Sequence, residues 1–150
     1  KICRLFNIYG PRMALDDGRL IPDLMQSVQQ GGPLTLYSDG QATRSFCYVS
    51  DAVHQLMYVL LKGSNGEVYN IGDDNEMTVE QMADLVASSV GLGLTVEYGH
   101  HPDEDYVTDN PQRRCPDLSK IRALASFTTR TGLKCGLLRT AQWSGLEGGS

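Results

Sequence analysis

The sequence has no apolar run long enough to cross a bilayer, no closely spaced cysteine pair and no excess of positive charge. Its longest apolar stretch, residues 56–61, falls far short of the roughly 20 residues a membrane-spanning helix needs, and no leader peptide is expected. The four cysteines, Cys3, Cys47, Cys115 and Cys135, are scattered. Without a C-x-x-C pair or a close histidine partner they suggest neither a zinc site nor a disulfide framework, and they fit a reducing cytoplasm. Thirteen basic against eighteen acidic side chains leave a formal charge of −5, which argues against a sequence-independent grip on nucleic acid. Any phosphate must be held by a few placed arginines. Also missing are a P-loop, a serine nucleophile elbow and an H-E-x-x-H helix. Gly91-Leu92-Gly93 follows a helical pattern and does not join a strand to a helix, so it cannot seat a pyrophosphate as a dinucleotide fingerprint does.

What remains is 150 residues, enough for one compact domain, with α/β patterning that does not repeat as regular βαβ units. The chain opens without methionine directly into a strand-like stretch and reads as cut from something longer. Residues 2–9 are expected to form a buried strand closed by Gly10-Pro11. Leu20, Ile21, Leu24, Met25 and Val28 mark one face of a helix over 20–30, with Pro22 in its first turn and Gly31-Gly32-Pro33 ending it. Short strands follow over 34–37 and 43–49. Ser50-Asp51 reads as the cap of a helix whose apolar stripe is Val53, Leu56, Met57, Leu60 and Leu61. A strand over 66–71 leads to Thr78, an N-cap with Gln81 at the capping-box position, and to a helix buried through Val79, Met82, Leu85, Val86 and Val90. A strand over 94–98, a polar loop over 100–116, a short helix over 120–125 capped by Asp117 or Ser119 and a last helix over 133–143 complete the chain. The tail 147–150 is expected to be disordered.

Arginines are the chief candidates for chemistry. Arg44 lies in a short strand between a glycine turn and an Asp-capped helix; its guanidinium fork suits a ligand phosphate or carboxylate, and equally an ion pair to Asp39 or Asp51. Arg113 and Arg114 could clamp a diphosphate, or only offset Asp103, Glu104, Asp105 and Asp109. Arg12 and Arg19 bracket a turn, and Asn7 stands at a strand end where amides serve ligands or local backbone. His54 is placed on a helix's polar face, and His100-His101 is a weak metal pair because adjacent side chains on an extended segment diverge. Tyr58 and Lys62 show a Tyr-x-x-x-Lys spacing, read here as a coincidental two-residue match.

Several ordered blocks are far more specific than any single residue. They run Arg4-Leu5-Phe6-Asn7-Ile8-Tyr9-Gly10-Pro11-Arg12-Met13, Asp17-Gly18-Arg19, Pro33-Leu34-Thr35-Leu36-Tyr37-Ser38-Asp39-Gly40 and Thr43-Arg44-Ser45-Phe46-Cys47-Tyr48-Val49-Ser50-Asp51. Tyr69-Asn70-Ile71-Gly72, Thr78-Val79-Glu80 and Arg113-Arg114-Cys115-Pro116-Asp117-Leu118-Ser119-Lys120 continue the series. Together they resemble the extended short-chain dehydrogenase/reductase family of nucleotide-sugar enzymes, the NAD-dependent epimerases and dehydratases, and within it the UDP-glucuronate decarboxylases.

That resemblance covers the family's C-terminal portion. It implies an α/β fold of short mixed strands and helices with no complete Rossmann domain, in which residues 1–146 form the nucleotide-sugar-binding portion together with the last Rossmann-side strand. It implies that Asn7, Tyr37, Arg44 and Arg114 contact a UDP-sugar or related nucleotide sugar, the two arginines on its diphosphate or sugar carboxylate, and that Arg19 reaches the cofactor side. The family's chemistry is oxidation at the sugar C4 by NAD, loss of CO2 and re-reduction. Its catalytic Tyr-x-x-x-Lys and glycine fingerprint precede this segment, so no catalytic or metal residue is expected in it, and NAD belongs to the full-length family and is not expected to be held by this chain alone. Such a portion is expected to be inactive by itself. A dTDP-glucose 4,6-dehydratase or UDP-sugar 4-epimerase fragment is the enzymatic alternative. A different reading is a stand-alone truncated protein whose open face meets a second copy, a missing Rossmann domain or another protein. Departures from the family pattern are Ile8 for threonine, Ala14 for histidine, Cys115 for a basic residue, and Leu124-Ala125-Ser126-Phe127-Thr128-Thr129 for Leu-Gly-Trp-x-Pro.

Overall fold

Short strands of this chain pair mostly in parallel, and helices pack against several of them. The computed structural model describes residues 1–90, 93–99, 111–124 and 131–146. His100 and His101, the acidic residues Asp103, Glu104, Asp105 and Asp109, Gly91-Leu92, the divergent stretch 125–129 and the tail 147–150 lie outside those residues. Strand β1 (Ile2–Leu5) runs parallel to β6 (Val68–Ile71), and β2 (Ile8–Tyr9) parallel to β5 (Cys47–Tyr48). Strand β3 (Leu34–Leu36) pairs in parallel with β8 (Val96–Tyr98). Strand β4 (Thr43–Ser45) lies between antiparallel β7 (Glu76–Thr78) and parallel β9 (Arg113–Arg114). The helices are α1 (Leu20–Gln30), α2 (Val49–Lys62), α3 (Val79–Val90), α4 (Ser119–Arg122) and α5 (Leu133–Trp143).

Two clusters hold these elements. The larger joins α1, α3 and α5 to β3 through Leu24, Met25, Leu34, Met82, Val86 and Leu137, all at most 1% exposed. The smaller lies under α2 and α4, around Val59, Tyr69, Ile71 and Ile121. Local signals account for several boundaries. Gly31, in the left-handed region at φ 66°, ends α1 by donating to Val28 O, while Gly32 donates to Ser27 O. Thr78 and Gln81 form the reciprocal box at the start of α3, with Gln81 N–H donating to Thr78 Oγ1 at 3.1 Å and Thr78 N–H to Gln81 Oε1 at 2.9 Å.

Other expectations are corrected. The single buried strand over 2–9 is two strands, because Asn7 adopts a left-handed φ of 43°, a conformation a short amide tolerates. Phe6 N–H still donates to Ile71 O, whereas Asn7 O accepts from Cys47 N–H, so the chain changes partner strand across these two residues. Nor is β1 buried: Ile2 is 56% and Leu5 58% exposed. Helix α2 begins at Val49 with Tyr48 in the cap position and no side-chain cap; Asp51 lies inside its first turn and accepts hydrogen bonds from Thr131 N–H and Oγ1–H.

The apolar stripe of α2 faces the other way from expectation. The helix buries Ala52, Gln55 and Val59, while Val53, Met57, Leu60 and Leu61 are exposed and Leu56 is half-buried. Helix α3 likewise turns Ala83 and Ser89 inward and leaves Val79 and Leu85 half-buried. Strands β7 and β9 were not expected, the latter because two adjacent arginines carry no apolar period. Helix α4 spans Ser119–Arg122 behind Leu118, and Asp117 accepts from Ser119 N–H without occupying the cap position.

Candidate nucleotide-sugar site

Five candidate residues converge on one cavity of about 420 Å³, bounded by β2, the first turn of α1, the end of β3, β4 and β9. Asn7, Arg19, Tyr37, Arg44 and Arg114 all line it. They come from five separated stretches of chain, and the topology explains why they meet. The break after Asn7 carries β2 alongside β5, and the strand that leads into β5 is β4, so Asn7 and Arg44 lie on neighbouring segments. Asn7 Nδ2–H donates to Ser45 O at 2.8 Å, fixing the amide at the cavity edge.

Arg44 is 6% exposed, and its Nη1–H donates to Thr43 O at 2.7 Å. Burial, and secondarily the charge of Arg114, pull its guanidinium below the ordinary arginine range. Arginine's intrinsic basicity keeps it cationic near neutral pH all the same. Asp51, one of the two side chains expected as an internal partner, is engaged with Thr131, and Asp39 accepts from Gln41 N–H. Arg114 pairs with Arg44 in register across the parallel β4–β9 ladder and is exposed.

Arg113 does not share the cavity. Alternation along β9 turns it to the opposite face, where it grips Glu76 with Nε–H to Oε1 at 2.9 Å and Nη2–H to Oε2 at 2.7 Å. The paired-arginine clamp is thus one arginine toward the cavity and one away. Tyr37, half-buried, follows β3 at the cavity wall. Arg19 stands at the start of α1, bridged to Asp17 and donating through Nη1–H to Ile8 O at 3.4 Å. Asp23 and Asp39 add carboxylates to the lining, and Phe46, Leu36, Ile21 and Val79 supply its apolar part.

Sequence reasoning did not single out Gln112, which also lines the cavity beside Arg114 and whose carbonyl accepts from Thr43 N–H at 2.8 Å. Nothing in its neighbours' pattern marks it. Tyr58 and Lys62 lie on α2, outside the cavity lining, which agrees with reading their spacing as coincidental. Among the described residues no group of three His, Cys, Asp or Glu side chains could hold a metal ion, and no helix is long and apolar enough to cross a membrane.

Residues 1–72 match the NAD dependent epimerase/dehydratase family. UDP-glucuronic acid decarboxylase 2 of Arabidopsis thaliana is 35% identical over 137 residues, covering 91% of this chain and 29% of the relative. UDP-glucuronic acid decarboxylase 1 of Xenopus tropicalis is 34% identical over 143 residues, 95% of this chain and 32% of the relative. The chain is similar to the NAD dependent epimerases and dehydratases.

The fold agrees with that family. UDP-glucuronic acid 4-epimerase from Bacillus cereus, solved with UDP-glucuronic acid and NAD, superposes with a TM-score of 0.80 at 26% identity, covering 95% of this chain and 44% of the epimerase. A dTDP-glucose 4,6-dehydratase from Bacillus anthracis, solved with NAD, gives 0.78 at 30% identity, covering 95% and 43%. The chain therefore spans about a third of the curated decarboxylases and under half of the solved epimerase/dehydratase structures. The portion it matches has the α/β architecture of short strands and helices expected from its sequence.

Proposed function

We propose that this chain is the substrate-binding portion of a nucleotide-sugar-modifying enzyme of the UDP-glucuronate decarboxylase type, and that it binds a UDP-sugar without turning it over alone. The observation that carries this reading is the in-register pair Arg44 and Arg114 facing one cavity with Asn7, Tyr37 and Arg19. A nucleoside diphosphate presents two or more negative charges over a few ångströms, which suits two guanidinium forks on adjacent strands. Three arginines, Arg19, Arg44 and Arg114, line the cavity against two carboxylates, Asp23 and Asp39. The choice of the decarboxylase type over a dehydratase rests on likeness of sequence, to curated relatives at 34–35% identity.

In this reading NAD is left to the rest of a full-length enzyme, and two observations on the described residues support it. Arg19 is engaged with Asp17 and Ile8 O, and no glycine-rich turn joins a strand to a helix at the cavity. In this reading the chain takes no redox step itself. Its own residues bind and orient the sugar nucleotide: the arginines neutralise the diphosphate or carboxylate, and the amide of Asn7 fixes the sugar end.

Calorimetric titration with UDP, UDP-glucuronate, dTDP-glucose and NAD tests this reading. Binding of UDP and UDP-glucuronate that is lost in Arg44→Ala, without binding of NAD, is expected. Absence of UDP binding at millimolar concentration overturns autonomous binding, and stronger binding of dTDP-glucose than of UDP-glucuronate overturns the decarboxylase assignment.

A second reading, association with a second copy or with a Rossmann-type domain, is favoured by the exposed apolar face of α2 and β1. Parallel strands are normally covered on both faces, and among the described residues β1 pairs only with β6. Sedimentation of the purified chain distinguishes the two: a monomer that binds UDP fits the first reading alone.

A further inference from the structure

We infer that Glu76, which lies outside the cavity, is a positioning residue that holds Arg114 inside it by clasping Arg113 on the opposite face of the β7–β4–β9 sheet. The inference rests on the anion-binding reading above and adds a residue that no part of that reading requires.

Strand β9 is two residues long and meets β4 through the pairs Thr43 with Arg113 and Arg44 with Arg114. The second pair sets two arginines in register, the charge of one bearing on the other, and like charges on paired positions disfavour pairing. The other pair offsets this. On its face Glu76 accepts from Arg113 Nε–H at 2.9 and 3.1 Å and from Arg113 Nη2–H at 2.7 Å, and its Oε1 also accepts from Thr43 Oγ1–H at 2.7 Å.

The register makes this reach possible. Glu76 stands opposite Ser45 on β7, and residues two apart on a strand share a face, so Glu76, Ser45, Thr43 and Arg113 face one side while Met77, Arg44 and Arg114 face the other. One carboxylate thus spans the central strand and ties both edge strands to it. A bidentate fork fixes direction as well as distance. Turning Arg113 away fixes the side on which Arg114 emerges. The clasp is largely solvent-exposed, at 69% for the Arg113 side chain and 28% for Glu76. Exposed ion pairs contribute little to global stability, so a role in placing β9 fits the geometry better than a role in holding the fold.

The test compares the wild-type chain, Glu76→Gln, Arg114→Ala and the double variant by UDP titration, thermal melting and amide hydrogen exchange over residues 111–116. Glu76→Gln is expected to weaken UDP binding by about tenfold with an unchanged melting temperature, and to weaken it less than twofold once Arg114 is already alanine. The charge swap Glu76→Arg with Arg113→Glu is expected to restore most of the affinity. Independent, multiplying effects of Glu76→Gln and Arg114→Ala overturn the inference, as does an unchanged affinity in Glu76→Gln. If the wild-type chain binds no UDP, the anion-binding reading fails separately. Hydrogen exchange then decides the clasp: faster exchange over 111–116 in ligand-free Glu76→Gln supports it, and equal rates overturn it.

Discussion

Arg44 and Arg114 stand opposite one another on neighbouring parallel strands, two like charges facing the same cavity, one buried and one exposed. The charge of Arg114 works against that of Arg44, and a doubly charged ligand between them offsets the repulsion. Replacing Arg44 by alanine removes a charge-assisted fork worth about 1.5–3 kcal/mol, so UDP affinity is expected to fall by roughly 10- to 100-fold. Arg44→Lys keeps the charge and loses the fork, and is expected to fall between the two. Arg114→Ala relieves the repulsion and is expected not to lower the melting temperature of the ligand-free chain. Calorimetry and thermal melting in low salt check all three; equal UDP affinity in Arg44→Ala and wild type would refute the assignment.

The exposed face of α2 makes a second prediction. Leu60 is 62% and Leu61 70% exposed, with Val53 and Met57 beside them at 50% and 48%. A contiguous apolar patch of this kind marks an interaction surface and binds hydrophobic dyes. The double variant Leu60→Lys, Leu61→Glu is expected to reduce dye fluorescence and self-association, with stability within about 0.5 kcal/mol of wild type. A loss of several kcal/mol would show that this face is packed in solution.

That helix also shows which parts of the fold the sequence discloses. A 3.6-residue apolar period over 49–62 tells which side chains travel together, and says nothing of which protein surface they meet. Val53, Met57, Leu60 and Leu61 share a face, but within this chain the inward side belongs to Ala52, Gln55 and Val59. Gln55 is buried there because its amide replaces a strand partner, Nε2–H donating to Gly72 O at 2.7 Å and Oε1 accepting from Gly72 N–H at 2.9 Å. No periodicity announces such a residue. Signals confined to one turn are legible, as with Thr78 and Gln81 or the αL glycine after α1. Strand β9 is not, since its place depends on β4, some seventy residues away. The cavity residues were legible through ordered blocks of sequence, which preserve who meets whom without stating how; the division of Arg113 from Arg114 by strand alternation needed the sheet.

Alkaline pH supplies a third prediction. Cys47 is fully buried, and burial, reinforced by Asp73 and Asp51, pushes its thiol from 9.0 up to about 12. Burial raises the Tyr9 phenol as well. Both groups are held neutral by the fold, so their contribution is complete below the unfolded-state value and is lost as pH rises through the folded one. For Cys47 this window runs from about pH 9 to about pH 12, at up to about 1.4 kcal/mol per pH unit. Denaturant midpoints are expected to fall across it, and less so in Cys47→Ala. At pH 8 a thiol reagent is expected to modify exposed Cys135 promptly and Cys47 only after unfolding.

Gly136 tests how tightly α5 must approach the cavity wall. Alanine favours a helix interior over glycine by about 1 kcal/mol, so propensity alone predicts that Gly136→Ala stabilises the protein. The packing predicts the reverse. A methyl group at Gly136 would collide with the hydroxyl of Tyr9 and lie 2.8 Å from the Tyr48 ring. Those two rings already meet edge to face with centroids 5.6 Å apart, and Tyr9 Oη–H donates to Leu133 O at 3.2 Å in the first turn of the same helix. Neither ring can retreat without opening the larger core. Overpacking of this kind costs about 1–3 kcal/mol, and Gly136→Ala is expected to destabilise by that amount. The penalty should shrink in a Tyr9→Phe background, where the colliding oxygen is gone, whereas Gly132→Ala, with nothing within 4 Å of the added methyl, should be nearly neutral. Because Tyr9 also lines the cavity, Gly136→Ala is expected to weaken UDP binding in the same measurements, and a destabilised variant with unaltered affinity would separate the wall formed by Tyr9 from the anion site formed by the arginines.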